Sequence, residues 1–160
     1  MTELEQRACD MRIDIVRMIA EAGSGHPGGS LSCADILSVL YFDTMKHDPS
    51  NPKNEDRDRF ILAKGHAAPA LYAALAESGY FPKEELATLR KLGTRLQGHP
   101  DMNLLPGVEV STGSLGQGLS IACGMACGMK LAGNDNTVFT FHLKDAKFHN
   151  GDPVTAESFK

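Results

Sequence analysis

The chain has 160 residues, 42% of them apolar and 22% charged, and a formal net charge of −4. That length favours a single domain with a core of its own, and the acidic balance argues against a general nucleic-acid binder. No apolar run approaches the ~18 residues of a membrane-spanning helix, and the charged start MTELEQRACDMRID lacks the apolar centre of a secretory signal, so a cytoplasmic protein with no membrane partner is expected.

Residues 3–22 predict an amphipathic helix. Leu4, Ala8, Met11, Ile15, Met18, Ile19 and Ala22 recur at three- and four-residue spacing, and Gly23 and Gly25 end the run. Residues 23–30, GSGHPGGS, predict a loop. A second helix should follow, with Ser32 as N-cap, Asp35 three residues later and ADILSVLYF as its body. Residues 43–59 are polar, contain Pro49 and Pro52, and predict a surface loop. Phe60 to Ala63 predicts a short buried strand. A helix is expected from about Ala67 to Ser78, with Pro69 in its first turn and Gly79 at its end. Lys83 to Leu92 predicts another short helix, and residues 93–112 an irregular stretch. The glycine-rich segment 113–118, GSLGQG, should turn into a helix reaching about Leu131. Residues 133–136, GNDN, form a strong turn signal, and Val138 to Leu143 predicts a strand. Helices alternating with short apolar runs suggest an α/β layered domain. Only two strands are readable, so the chain resembles part of such a domain.

Three histidines sit in glycine or proline settings: Gly25-His26-Pro27-Gly28, Lys64-Gly65-His66 and Gly98-His99-Pro100. Glycine lets backbone approach a ligand closely, and histidine exchanges protons near neutral pH. No pair is spaced like metal ligands on one helix. Together they fit hydrogen bonding to a polar ligand or transfer of a proton. The segment Ser111–Gly118 opens a helix and has glycines where main chain could meet an anion. It is equally well explained as a tightly packed helix start. Gly116, Ser120, Gly124 and Gly128 form a stripe of small residues, suited to internal packing or a subunit contact. Cys9, Cys33, Cys123 and Cys127 make no metal pattern and predict small buried residues in a reducing compartment.

These motifs carry a resemblance. AGSGHPGGSLSCADIL, RDRFILAKGHAAPALYAAL, LQGHPD and STGSLGQGLSIACGMA, in that order, resemble the N-terminal part of a transketolase, above all the N-terminal subunit of the split form. Coverage is roughly residues 3–136. The resemblance implies an α/β fold: a partial, incomplete thiamine-diphosphate-binding fold with helices around a small, mostly parallel sheet. It implies transfer of a two-carbon ketol unit between sugar phosphates, with thiamine diphosphate and Mg²⁺ as cofactors. It implies that His66 and the backbone of Gly113, Ser114 and Leu115 bind the cofactor, that His26 and His99 face the substrate, and that all three histidines take part in catalysis. A C-terminal transketolase subunit or a second copy of the chain is the implied partner.

After Asn136 the pattern departs from the family. Asp145 lies near the place of the metal-binding aspartate of a Gly-Asp-Gly motif but lacks the flanking glycines, so no metal ligands are assigned. The run from Thr140 to Lys160 is similar to oligopeptide-type extracytoplasmic solute-binding proteins. That divides the chain into a transketolase-like segment, 1–136, and a strand–turn–helix tail, 137–160. A chimera joined near residue 137 is therefore expected, inactive in ketol transfer by itself. A non-catalytic fusion fragment and a piece of a solute-binding transport protein are the alternatives.

Overall fold

A computed structural model describes residues 1–131. The turn at 133–136, the strand expected at Val138–Leu143, Asp145 and the tail from 137 lie outside the described residues. The chain divides into two compact units, Met1–Gly118 and Leu119–Lys160.

The first unit is built on two helices. α1 (Glu3–Ala22) forms as its periodicity predicts, and its inward stripe of Ala8, Met11, Ile15 and Met18 is buried. A capping box starts it: Thr2 Oγ1 accepts from the Glu5 N–H at 3.3 Å, and the Thr2 N–H donates to the Glu5 carboxylate at 2.7 Å. Gly23, at φ 63°, ends it in the left-handed conformation that glycine adopts without strain. α4 (Ala68–Glu77) carries Pro69 in its first turn, where the missing N–H costs no helical bond. Every residue from Ala68 to Ala76 is buried. Its alanines let α1 and α3 (Ala34–Val39) pack closely on it. Burial of side chains such as Met11, Ile15, Leu37, Leu71 and Leu75 contributes about 1.5–3 kcal/mol each.

The structure differs from the sequence expectation at several elements. The loop expected at 23–30 contains a short helix, α2 (Pro27–Leu31), because Pro27 is already set at a helical φ and starts the turn. Ser32 is consequently not an N-cap. It closes α2, and its hydroxyl donates back to the Gly29 carbonyl at 3.0 Å. Cys33 precedes α3, which runs on as a wider turn over Leu40–Thr44. Lys83–Thr88 is a 3₁₀ segment and does not extend as a helix to Leu92. Phe60–Ala63 is not a strand, and no strand occurs among the described residues. Nothing there offers it a ladder partner, and the Leu62 carbonyl accepts the Thr112 hydroxyl at 2.7 Å instead. Of the cysteines only Cys33 is buried; Cys9 is half-buried, and Cys123 and Cys127 are exposed. The last two sit four apart on α5 (Gln117–Leu131), the helix the glycine-rich segment was expected to open.

Candidate functional site

The three histidines singled out in the sequence come together within the first unit. His26 stands just before α2. His66 sits in the 3₁₀ turn Gly65–Ala67 that leads into α4, and His99 lies in the irregular stretch 93–112. The His26 and His66 rings are 5.3 Å apart and the His66 and His99 rings 4.6 Å apart, each pair edge to face. The result is a row of imidazoles with half-buried His66 in the middle and exposed His26 and His99 at the ends.

Backbone and neighbouring side chains hold this row. Lys64 donates to the Gly29 carbonyl at 2.7 Å and to Ser32 Oγ at 2.9 Å, which ties α2 to the turn carrying His66. Tyr72, fully buried on α4, donates to the Gln97 carbonyl at 2.8 Å and also approaches the His99 carbonyl, at 3.3 Å. Burial pushes the Tyr72 phenol far above its usual range, so it remains a donor. Gly65 has no room for a side chain, since a Cβ there would stand 2.4 Å from the Thr112 carbonyl oxygen. A Cβ on Gly113 would lie 3.1 Å from His99 Cδ2. The glycine-rich segment therefore runs directly against the imidazole row.

The electrostatics suit a polar, anionic ligand. Partial burial, then the His66 imidazole, the Arg90 guanidinium and His26, hold His99 below the ordinary histidine value. A neutral His99 presents one donor and one acceptor at neutral pH. The N–H groups of Gly113, Ser114 and Leu115 donate to no protein acceptor among the described residues, and Ser114 and Leu115 are exposed. Unpartnered main-chain donors ahead of a helix start fit a phosphate. Among the described residues no group of three or more His, Cys, Asp or Glu side chains could hold a metal ion.

Residues 5–148 match the model of the transketolase thiamine diphosphate binding domain. The chain belongs to this family. The match passes the join expected near residue 137 and so lends that join, and a solute-binding tail, no support. A 6-deoxy-6-sulfo-D-fructose transketolase subunit of Clostridium sp. (strain MSTE9) is 49% identical over 157 residues, 98% of this chain and 57% of the relative. Human transketolase is 48% identical over 123 residues, 77% of this chain and 20% of the relative. The transketolase structure from Leishmania mexicana superposes with a TM-score of 0.79 at 37% identity, over 86% of this chain and 21% of that one. The Campylobacter jejuni transketolase structure gives 0.76 at 44% identity, covering 81% and 20%. The chain thus spans little more than half of the Clostridium relative and about a fifth of the full-length transketolases. The α/β character of the transketolase fold applies to it at family level, although the described residues contain no strand. No helix among them is long and apolar enough to cross a membrane.

Sequence reasoning singled out none of three residues that the structure places around the histidine row, Lys64, Tyr72 and Arg90. Lys64 stood inside the Lys64-Gly65-His66 motif, and its position beside His66 was the available signal. Tyr72 looked like any core aromatic of a helix. Arg90 carried no local signal at all.

Proposed function

We propose that this chain supplies the diphosphate-binding part of a transketolase-type enzyme that moves a two-carbon ketol unit between anionic sugars. The observation that carries the reading is the contact of Gly113 with His99, which brings unpartnered main-chain donors and three histidines to one place. In this reading His66 and the backbone of Gly113, Ser114 and Leu115 hold the cofactor's diphosphate. Bound thiamine diphosphate supplies the carbanion chemistry. His26 and His99, at the exposed ends of the row, bind sugar hydroxyls and carry protons to and from them. Two relatives support a sugar phosphate or similar anionic ketose as substrate by their names: the Clostridium sulfofructose transketolase and the apulose-4-phosphate transketolase of Phocaeicola vulgatus. Both are named as subunits, which supports a C-terminal subunit or a second copy as the partner. A separate origin for residues 137–160 rests on the motif run Thr140–Lys160 alone.

Calorimetric titration of the chain with thiamine diphosphate, with and without Mg²⁺, tests the reading. Saturable binding is expected, weakened roughly tenfold in His66→Ala through loss of a hydrogen bond to a charged group. Absence of binding under both conditions, or full affinity in the variant, would sink the assignment.

A further inference from the structure

Arg90 has a backbone that few side chains adopt. Its φ is 61°, and it is the one non-glycine residue with positive φ among the described residues. Such a conformation is costly for a residue with a Cβ and persists where the surroundings hold it. Here the Arg90 N–H donates to the Leu96 carbonyl at 2.9 Å, and buried Leu89 and Leu96 anchor both ends of that turn.

The turn aims the guanidinium at two places. Its plane lies over Gly98, where a Cβ would stand 2.9–3.0 Å from Nη2, Cζ and Nε. Its Nη1 donates to Ser24 Oγ at 3.3 Å. Ser24 is two residues before His26, and Gly98 is one before His99. Arg7, Arg12, Arg57, Arg59 and Arg95 each face a carboxylate. Arg90 has no carboxylate partner among the described residues, so its charge is left for its surroundings. Asp101, close by in sequence, is occupied with Asn103 and Ser111.

We propose that Arg90 is a positioning residue, joining the turn before His26 to the turn before His99 and so holding both outer imidazoles against His66. This rests on the site reading given under Proposed function. The flat face of the guanidinium fits against a glycine backbone while its fork reaches the serine. A lysine ammonium keeps the charge and can donate to a serine, but it has no flat face to lay against the glycine and no fork to do both at once.

The test compares the chain with Arg90→Gln and Arg90→Lys, each first shown to be folded by its thermal transition. Proton NMR reads the contact between the His66 and His99 rings and the titration of His99. The groups facing His99 are His66, His26 and Arg90. Removing the cation should raise the His99 midpoint in Arg90→Gln and leave it near its native value in Arg90→Lys. The ring contact should weaken in both variants. Thiamine diphosphate affinity should fall roughly tenfold in both. Native ring contacts in Arg90→Gln, or full recovery of contacts and affinity in Arg90→Lys, would overturn the positioning role. Loss of the ring contacts in variants of a chain that binds no thiamine diphosphate would retain Arg90's role and discard the cofactor reading.

Discussion

At position 65 there is no space for a methyl group. A Cβ would meet the Thr112 carbonyl at 2.4 Å and the Gly113 nitrogen at 2.7 Å, and both are backbone atoms. A flexible neighbour could swing aside, but a backbone must shift with everything attached to it. Gly65→Ala should therefore cost about 1–3 kcal/mol, as overpacking does, and it should push the 112–113 backbone away from the turn that carries His66. A thermal melt together with a thiamine diphosphate titration checks this. Unchanged stability and affinity would mean that the 112–113 backbone is freer than its contacts indicate. The glycine itself was legible as part of a motif. Its reason was not, because the partner atom lies 47 positions away in a stretch without periodicity.

At the scale of elements, one ion cluster pins the 3₁₀ segment Lys83–Thr88 to the helices. The Lys83 ammonium stands 2.9 Å from Asp14 Oδ2 on α1, in an ion pair whose angle falls short of a hydrogen bond, and also pairs with Glu77 on α4. Arg7 reaches Glu77 from the other side at 3.4 Å. Asp14 is 5% exposed, and burial raises its carboxyl above the usual range, against the pull of Lys83. Lys83→Met should cost about 1–3 kcal/mol at pH 7, a figure kept modest because Lys83 is itself half exposed. The sign with pH follows from linkage. A carboxyl held above its unfolded value favours the folded state when protonated, so the variant should lose stability as pH rises from about 4 toward 7. Denaturant melts across that range read the effect. A flat profile would show that Asp14 stays solvated in the variant. The elements legible in sequence were α1, with its apolar period and glycine stop, α4, set between Pro69 and Gly79, and α5, opened by the glycine-rich segment. The illegible ones depended on partners. α2 hung on one proline followed by two glycines, and Phe60–Ala63 had the composition of a strand but no neighbouring strand among the described residues.

At the scale of the whole molecule, three histidines separated by 40 and 33 positions share one site because α4, buried along its length, seats the turn before it and, through Tyr72, the loop carrying His99. Family motifs made that grouping legible; periodicity could not. What the motifs left out was the frame of Lys64, Tyr72 and Arg90, whose roles exist only once distant backbone carbonyls and turns are in place. Under the proposed function, the unpartnered N–H groups of Gly113, Ser114 and Leu115 are the donors to a diphosphate. The chain spans 57% of the Clostridium relative and about a fifth of the full-length transketolases, so by itself it should show no ketol transfer from ketose to aldose phosphates with Mg²⁺ and thiamine diphosphate. A coupled spectrophotometric assay decides it, and turnover by the chain alone would contradict the need for a partner.

Gly65, Gly113 and Gly118 have a consequence for how such a site diversifies. Each is pressed against other atoms: the Thr112 backbone, the His99 ring and Ala63. A wall of this kind offers no side chain to exchange, so it cannot be recut to fit a new sugar one residue at a time. Under the proposed function, changes in substrate preference are expected at the exposed ends of the histidine row, where side chains can be exchanged.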